Sequence, residues 1–245
     1  MKKVNVKEKT QIYNVVILDK SGSMSSIKSA AVEGFNETLV GIKKAQEKFA
    51  ETQQHYLSLV AFCGCEMKVL YDKVPISEAQ LLDMNDYQPC CSTPLFDAMG
   101  FTLTDIRKHV KELKDAMVVV TIITDGMENA SKEYSGEAVK SLVNELRHEG
   151  WTFTYMGANQ DAVEVAVSLS IRNARNFDYS LQGAKTAMAK DSSTRMNFFQ
   201  RVHNFRTENM EADATLSIVE RNDLYASMAD EAFDEEEISN SFFEE

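Results

Sequence analysis

The chain has 245 residues, of which 44% are hydrophobic and 26% are charged, so it is long enough to bury a core without disulfides or a structural metal. Its formal net charge of −12 argues against a protein that binds nucleic acid or an anionic membrane surface. This negative charge is concentrated in residues 207–245, which contain 13 acidic residues and one basic residue. We therefore predict a neutral body that carries a solvated, acidic C-terminal tail, with a short helix at 214–229 indicated by the spacing of Leu216, Val219, Leu224 and Met228.

Predicted strands and helices alternate along the chain. Short runs of apolar and β-branched residues predict strands at 13–18, 56–62, 67–71, 117–124, 151–156 and 175–178. Apolar residues spaced three or four positions apart predict helices at 27–49, 95–113, 135–149, 160–169 and 181–205. The short link Cys63-Gly64-Cys65 between the second and third strands favours a hairpin, which makes the third strand antiparallel.

The run at 117–124 is apolar on both faces, which is typical of a central parallel strand covered by helices on two sides. Together with the alternation of elements, it predicts a three-layer α/β/α sandwich. Its doubly wound, mostly parallel sheet would contain one antiparallel strand. We place this domain at residues 11–206, between an N-terminal extension at 1–10 and the acidic tail at 207–245.

The location expected from the sequence is the cytoplasm. Residues 1–10 contain lysines but neither the apolar segment nor the cleavage site of a signal peptide. The longest apolar run, near 116–123, is much shorter than the roughly 18–20 residues that a transmembrane helix needs. In the cytoplasm we expect the four cysteines to be reduced.

Three polar clusters lie at or near the ends of predicted elements: Asp19-x-Ser21-x-Ser23, then Thr93, then Asp125 followed by glycine. In open α/β sheets, ligands bind outside the carboxyl ends of the strands, where the winding direction reverses. Two carboxylates and three hydroxyls form an all-oxygen set, which suits Mg²⁺ or Mn²⁺ better than zinc. If the neutral hydroxyls bind directly, the metal retains charge that favours a carboxylate from another molecule. The first cluster alone is also typical of a helix-capping turn.

This pattern of Asp-x-Ser-x-Ser, Thr and Asp-Gly resembles that of the von Willebrand factor type A (VWA) domain and its metal-ion-dependent adhesion site, over residues 10–206. The resemblance implies that Ser21, Ser23 and Thr93 contact the metal, and that Asp19 and Asp125 lie behind them or bind through water. It also implies a protein partner whose Asp or Glu completes the coordination. The expected role is that of an adaptor in a multi-protein assembly, not that of an enzyme.

Two other functions remain open. One is a metal-dependent hydrolase of a phosphate or acyl ester, although the P-loop and nucleophile-elbow patterns are absent from the sequence. A Ser-His-Asp arrangement would need a nearby histidine, but we expect the histidines on the surface or at helix ends, away from the metal: His55, His109, His148 and His203. The other is a scaffold that binds through its acidic tail, with a structural metal. The end of the tail, 242–245, is also a candidate ligand for its own or a neighbouring copy's metal, which would cause self-association.

The cysteines are all predicted at the metal end of the sheet. Cys63 and Cys65 lie in the predicted hairpin, and Cys90 and Cys91 lie just before Thr93. Four thiols there could bind zinc or form a redox switch, but their spacing differs from the C-x₂₋₄-C of ordinary zinc sites, which favours reduced, unliganded thiols. In the loop after Asp125, Glu128 has two equally weighted interpretations, as the rim of the metal site or as a solvated residue.

Overall fold

The fold is organised around one mixed β-sheet. The computed structural model describes residues 8–125, 127–158, 161–177 and 181–241. In these ranges the strands are β1 (Thr10–Asp19), β2 (Gln53–Cys63), β3 (Glu66–Pro75), β4 (Ala116–Thr124), β5 (Thr152–Gly157) and β6 (Asn173–Asn176). The helices are α1 (Lys28–Lys48), α2 (Leu95–Val110), α3 (Gly136–His148), α4 (Asp161–Ser168), α5 (Leu181–Glu208), α6 (Met210–Thr215) and α7 (Ile218–Ser241), and a 3₁₀ turn (Gly22–Ile27) precedes α1.

The order of the strands confirms the predicted fold class. The sheet runs β3-β2-β1-β4-β5-β6, and its strands are parallel except for the antiparallel edge strand β3. The chain leaves β1 towards β2 on one side and returns to β4 on the other, so the winding direction reverses between β1 and β4. This is the doubly wound, mostly parallel α/β sheet predicted from the sequence.

Successive residues of β1 point to opposite faces of the sheet, as the period of a strand requires. Ile17 packs on the face covered by α2 and α3, in one cluster with Leu103 of α2. Leu18 packs on the other face, in one cluster with Phe35 of α1 and Met188 of α5. Both faces of β1 are therefore buried beneath helices, which explains why this strand lacks an alternating pattern of polar residues.

The segment predicted as a solvated acidic tail packs on the domain over the part that the structure describes. Tyr225 of α7 is buried in one hydrophobic cluster with Ile12 of β1 and Met117 of β4, and Phe233 of the same helix is also buried. The apolar face of the helix differs from the one that spacing suggests, since Val219 is 68% exposed. Residues 242–245 lie outside the described residues, and the boundary at 206 stays a prediction.

Acidic side chains of this C-terminal segment are matched by buried arginines. Arg206 Nη1 lies 2.9 Å from Asp115 Oδ2, and the Tyr225 hydroxyl donates a hydrogen bond to Asp115 Oδ1 at 3.1 Å. Arg221 forms an ion pair with Asp213, whose side chain is almost fully buried. The network lies beside the start of β4, at the opposite end of the sheet from Asp19. It attaches the C-terminal helices far from the predicted metal.

The prediction that the histidines lie on the surface or at helix ends is wrong for His55. This residue is fully buried in β2, and burial lowers its pKa to about 3. A neutral ring is favoured at His55 because burial penalises the charged imidazolium. His109, in contrast, lies in the last turn of α2, with Nε2 2.9 Å from the Tyr13 hydroxyl.

The longest helix in the described part of the chain is α5, with 28 residues. It carries charged residues along its length and packs through Met188, Phe199 and Val202 on the sheet side. Among the described residues, no helix combines the length and the apolar character needed to cross a bilayer.

Candidate metal centre

The candidate site lies where β1 and β4 end side by side. Leu18 of β1 is in register with Ile123 of β4, so Asp19 and Thr124 follow at the same edge of the sheet. Because the winding reverses between these strands, the loops that leave them diverge to opposite faces and leave a crevice. The topology therefore joins two of the three polar clusters, although they are about a hundred positions apart in the sequence.

Asp19 is held rigidly at the base of the site. Its side chain is fully buried, and its two carboxylate oxygens accept hydrogen bonds from different partners. Oδ1 accepts from the backbone N–H of Ser21 at 2.6 Å, and Oδ2 accepts from the Thr124 hydroxyl at 2.7 Å. Burial raises the pKa of Asp19 to about 6, although these hydrogen bonds oppose the shift. A cation beside this carboxylate would favour its charged form.

Ser21, Ser23 and Asp125 form a continuous group of oxygen atoms next to Asp19. The hydroxyls of Ser21 and Ser23 are 3.1 Å apart, and the Ser23 hydroxyl donates to Asp125 Oδ1 at 2.7 Å. Burial raises the pKa of Asp125, while the Ser23 hydrogen bond opposes the shift. Ser23 is exposed, whereas Ser21 and Asp125 are buried, so Ser23 marks the open side of the group.

Helix capping does not account for the serine at the start of this loop. Ser21 occupies the N-cap position of the 3₁₀ turn Gly22–Ile27, but its side chain makes no capping hydrogen bond. Its hydroxyl instead faces that of Ser23. The structure therefore removes the simplest alternative explanation of the Asp-x-Ser-x-Ser pattern.

Thr93 is buried and is positioned by backbone hydrogen bonds to the loop that follows β4. Its N–H donates to Asn129 Oδ1 at 2.9 Å, and the Asn129 N–H donates to the Thr93 carbonyl at 3.1 Å. Just upstream, the Cys91 carbonyl accepts from the Gly22 N–H at 2.9 Å. The segment that carries Thr93 is thus attached to the loops of both other clusters.

Three residues that support the site were missed at the level of sequence. Thr124 binds the Asp19 carboxylate, Asn129 binds the backbone of Thr93, and the buried Tyr87 hydroxyl donates to the carbonyl of Asp19. The position of Thr124, a polar residue that ends an apolar strand just before Asp125, was an available signal. Tyr87 offered none, because its loop has no periodic pattern.

The interpretation of Glu128 as a solvated residue is wrong. Its half-buried carboxylate accepts hydrogen bonds from the backbone N–H groups of Phe96 at 2.9 Å and of Ala130 and Ser131 at 2.7 Å. Glu128 therefore binds the N-terminus of α2, where the free N–H groups favour a carboxylate. Its interpretation as the rim of the metal site stays a prediction.

The expectation of four reduced cysteines is wrong for Cys65 and Cys91, which form a disulfide in the structure. The Gly64 N–H at the tip of the β2–β3 hairpin donates to the Ser92 carbonyl at 2.8 Å, and this contact brings the two segments together. The Cα atoms of the bonded pair are 6.3 Å apart, within the range that disulfides span. Cys63 and Cys90 are free thiols.

The chemistry of the donor set fits a hard divalent cation. The hydrogen-bonded group offers carboxylate and hydroxyl oxygens from Asp19, Ser21, Ser23 and Asp125, and these are the ligands that Mg²⁺ and Mn²⁺ prefer. Two of these residues are carboxylic acids whose charged forms are disfavoured by burial. A cation would compensate for that burial, so the group is suited to hold one.

No protein-family model and no curated protein matches the chain, whereas several solved structures do. The pilus adhesin SpaC from Lactobacillus rhamnosus GG matches with a TM-score of 0.54 and 11% identity over 79% of this chain and 31% of that one. Proximal thread matrix protein 1 from the mussel byssus, with a zinc-occupied adhesion-site motif, matches with a TM-score of 0.49 and 15% identity over 77% and 46%. The SpRpn10 VWA domain matches with a TM-score of 0.49 and 10% identity over 74% of this chain and 95% of that one.

The chain spans less than half of the length of the first two of these proteins. At such low identities, likeness concerns the fold alone. The likeness to SpaC and the observed order of strands agree with the resemblance proposed from the sequence motifs. The chain has a doubly wound, mostly parallel α/β fold, which it shares with SpaC.

Proposed function

We propose that this chain is a VWA-type domain that acts as a divalent-metal-dependent protein-binding module. The observation that carries the proposal is the continuous hydrogen-bonded group formed by Asp19, Ser21, Ser23 and Asp125 at the ends of β1 and β4. In this proposal Ser21, Ser23 and Thr93 hold Mg²⁺ or Mn²⁺ through their hydroxyls, and Asp19 and Asp125 balance its charge. The Asp or Glu of a partner protein completes the coordination.

The chain's own residues determine which side of the site a partner approaches. Both carboxylate oxygens of Asp19 are engaged by Ser21 and Thr124, which keeps this residue at the buried base. Ser23 is exposed, so a carboxylate from outside would reach the site on its side. The bound metal would supply the positive charge that attracts this carboxylate, and neutral hydroxyls leave more of that charge available than acidic ligands would.

The structure gives little support to the alternative that the chain is a hydrolase. Asp19 accepts hydrogen bonds from the Ser21 N–H and the Thr124 hydroxyl, and Asp125 accepts one from the Ser23 hydroxyl. The buried His55 lies near the opposite end of β2 and has its pKa lowered by burial. His55 is therefore not placed to act as a general base for ester hydrolysis at this group.

The C-terminal segment bears on the alternative of a scaffold. The described part of this segment uses Tyr225, Phe233 and Asp213 to pack on its own domain, so those side chains are not available to a partner. We therefore place partner binding at the metal centre and retain the role of a cytoplasmic adaptor in a multi-protein assembly as part of the proposal. Self-association through residues 242–245 stays a prediction, since these lie outside the described residues.

The test is isothermal titration with Mg²⁺ and Mn²⁺, followed by capture of candidate partners with metal and with chelator. Thr93→Ala is expected to abolish metal-dependent capture. Ser26→Ala, in the 3₁₀ turn that contains Ser23 but outside the group, is expected to retain it. Capture that persists in chelator would contradict the proposal. Turnover of p-nitrophenyl phosphate or acetate that Thr93→Ala abolishes would favour the hydrolase.

A further inference from the structure

The four cysteines of the chain converge on one place beside the metal centre. The free thiols of Cys63 and Cys90 have their Sγ atoms 3.1 Å apart. The Sγ atoms of Cys63, Cys65 and Cys90 all lie within 4.8 Å of one another, and Cys91 is bonded to Cys65. Two segments about 25 residues apart thus each contribute two sulfur atoms to a single cluster, which we call the cysteine cluster.

Backbone contacts hold these two segments together independently of the sulfur atoms. The Gly64 N–H donates to the Ser92 carbonyl at 2.8 Å and joins the segments directly. Lys20 bridges them as well, because its N–H donates to the Phe62 carbonyl at 2.7 Å and its carbonyl accepts from the Cys90 N–H at 2.9 Å. A Cβ atom at position 64 would collide with the side chain of Ser92, so the close approach requires glycine between Cys63 and Cys65. The cluster would therefore persist if the disulfide were reduced.

The backbone conformation of Cys91 is unusual for its residue type. Its φ is +60°, in the left-handed region that glycine and asparagine adopt most readily. A cysteine at such a position carries a conformational cost that its side chain must offset. The conformation allows two adjacent cysteines to serve one cluster, because Cys90 contacts Cys63 while Cys91 contacts Cys65.

The sulfur atoms are close enough together to share one metal ion. A Zn–S bond of about 2.3 Å in a tetrahedron places sulfur atoms about 3.8 Å apart. The Sγ atoms of Cys63 and Cys90 are closer than this, at 3.1 Å, and those of Cys63, Cys65 and Cys90 lie within 4.8 Å of one another, so small side-chain rotations would suffice. Four thiolates around Zn²⁺ carry a net negative charge, and the buried Lys20, which is paired mainly with Glu66, also interacts with Cys63 and Cys90.

We propose that the reduced protein binds one Zn²⁺ through Cys63, Cys65, Cys90 and Cys91, separately from the all-oxygen site. The disulfide between Cys65 and Cys91 first accepts two electrons and two protons from a cellular dithiol, which is oxidised to its own disulfide. The four thiols then release four protons as zinc binds. The spacing that argued against zinc in the sequence does not exclude this site, because a hairpin and a second loop supply two ligands each.

The experiment measures zinc in the full chain, kept reduced with a phosphine and dialysed against a chelator that empties the oxygen site. One equivalent of retained zinc is expected in the wild type, in Asp19→Ala and in Ser92→Ala, a control from the same segment. Cys63→Ser and Cys90→Ser are expected to lose it. Co²⁺ added anaerobically to the reduced protein is expected to give the thiolate charge-transfer and tetrahedral d–d bands that an all-oxygen site does not produce.

A second measurement needs no variant and so does not depend on how well the cysteine variants fold. Zinc is expected to protect all four thiols of the reduced wild type from alkylation, counted by intact mass. Alkylation at the same rate with and without zinc would overturn the proposal. Retention of zinc by Cys63→Ser, or its loss from Asp19→Ala alone, would do so as well, because the metal would then belong to the oxygen site.

Discussion

The hydroxyl of Thr124 donates a hydrogen bond to Asp19 Oδ2 at 2.7 Å and so connects the last residues of β4 and β1. The backbone N–H of Ser21 binds the other oxygen, so the Asp19 carboxylate is fixed from two sides. Such a carboxylate cannot turn towards solvent without breaking a buried hydrogen bond. The geometry of the candidate metal centre therefore depends on a residue that is not among the predicted ligands.

Replacement of this hydroxyl tests its contribution. Thr124→Val keeps the shape of the side chain but leaves the buried Asp19 oxygen without its donor, so we expect the free energy of unfolding to fall by about 1–3 kcal/mol. We also expect weaker Mg²⁺ binding, measured by titration calorimetry. Thr154→Val is the matched control, since this buried threonine of β5 has a hydroxyl without a hydrogen-bond partner among the described residues. An equal loss in both variants would contradict the assigned role.

Metal binding should stabilise the folded chain through the group that contains Asp125. A ligand present at a hundred times its dissociation constant stabilises a protein by about 2.7 kcal/mol if it binds only the folded state. We expect Mg²⁺ or Mn²⁺ to raise the melting temperature of the wild type relative to chelator. Asp125→Asn should remove this increase because it deletes one charge from the site. A metal-dependent increase of equal size in the variant would show that the cation binds elsewhere.

Acid should destabilise the protein through His55. Burial lowers the pKa of His55 to about 3 in the folded chain, whereas an unfolded histidine titrates near 6.5. Between these values the unfolded state binds a proton that the folded state excludes, so stability is lost as the pH falls from about 6.5 towards 3. We expect His55→Gln to reduce this slope in denaturant unfolding measured at several pH values. His148→Gln, at an exposed site, should leave the slope unchanged.

The C-terminal helix should contribute to stability as part of the domain. Phe233 of α7 is only 4% exposed, so Phe233→Ala is expected to lower the free energy of unfolding by about 3–5 kcal/mol. Val219→Ala, in the same helix but at a side chain that is 68% exposed, should change it by less than about 0.5 kcal/mol. Denaturant unfolding measures both. Equal small effects would mean that the segment behaves as the solvated tail expected from its charge.

The difference between the predicted tail and the observed helices has a physical cause. The count of charged residues in 207–245 is a local property, and it correctly marks an acidic segment. Burial depends instead on partners that lie far away in the sequence. Asp115, which accepts a hydrogen bond from Tyr225, and Ile12, which packs in one cluster with Tyr225, are such partners, and they cannot be found from the composition of the segment itself.

Local patterns were sufficient for the fold class. Apolar runs such as that of β4 and the helical spacing of α2 predict the elements, and the rules of chain connection then limit their arrangement. The sequence also identified Asp19, Ser21, Ser23, Thr93 and Asp125 as candidates through a resemblance of motifs. Their role as metal ligands stays a prediction, although the structure connects four of them by hydrogen bonds.

Only the tertiary structure decided which residues complete these sites. Thr124 supports Asp19, Glu128 binds the N-terminus of α2, and the cysteines from two segments form one cluster. Each of these relationships joins atoms from different loops, and their distances depend on the order and register of strands in the sheet. Chain periodicity encodes which face of an element is buried, but it contains no information about which loops meet at the end of the sheet.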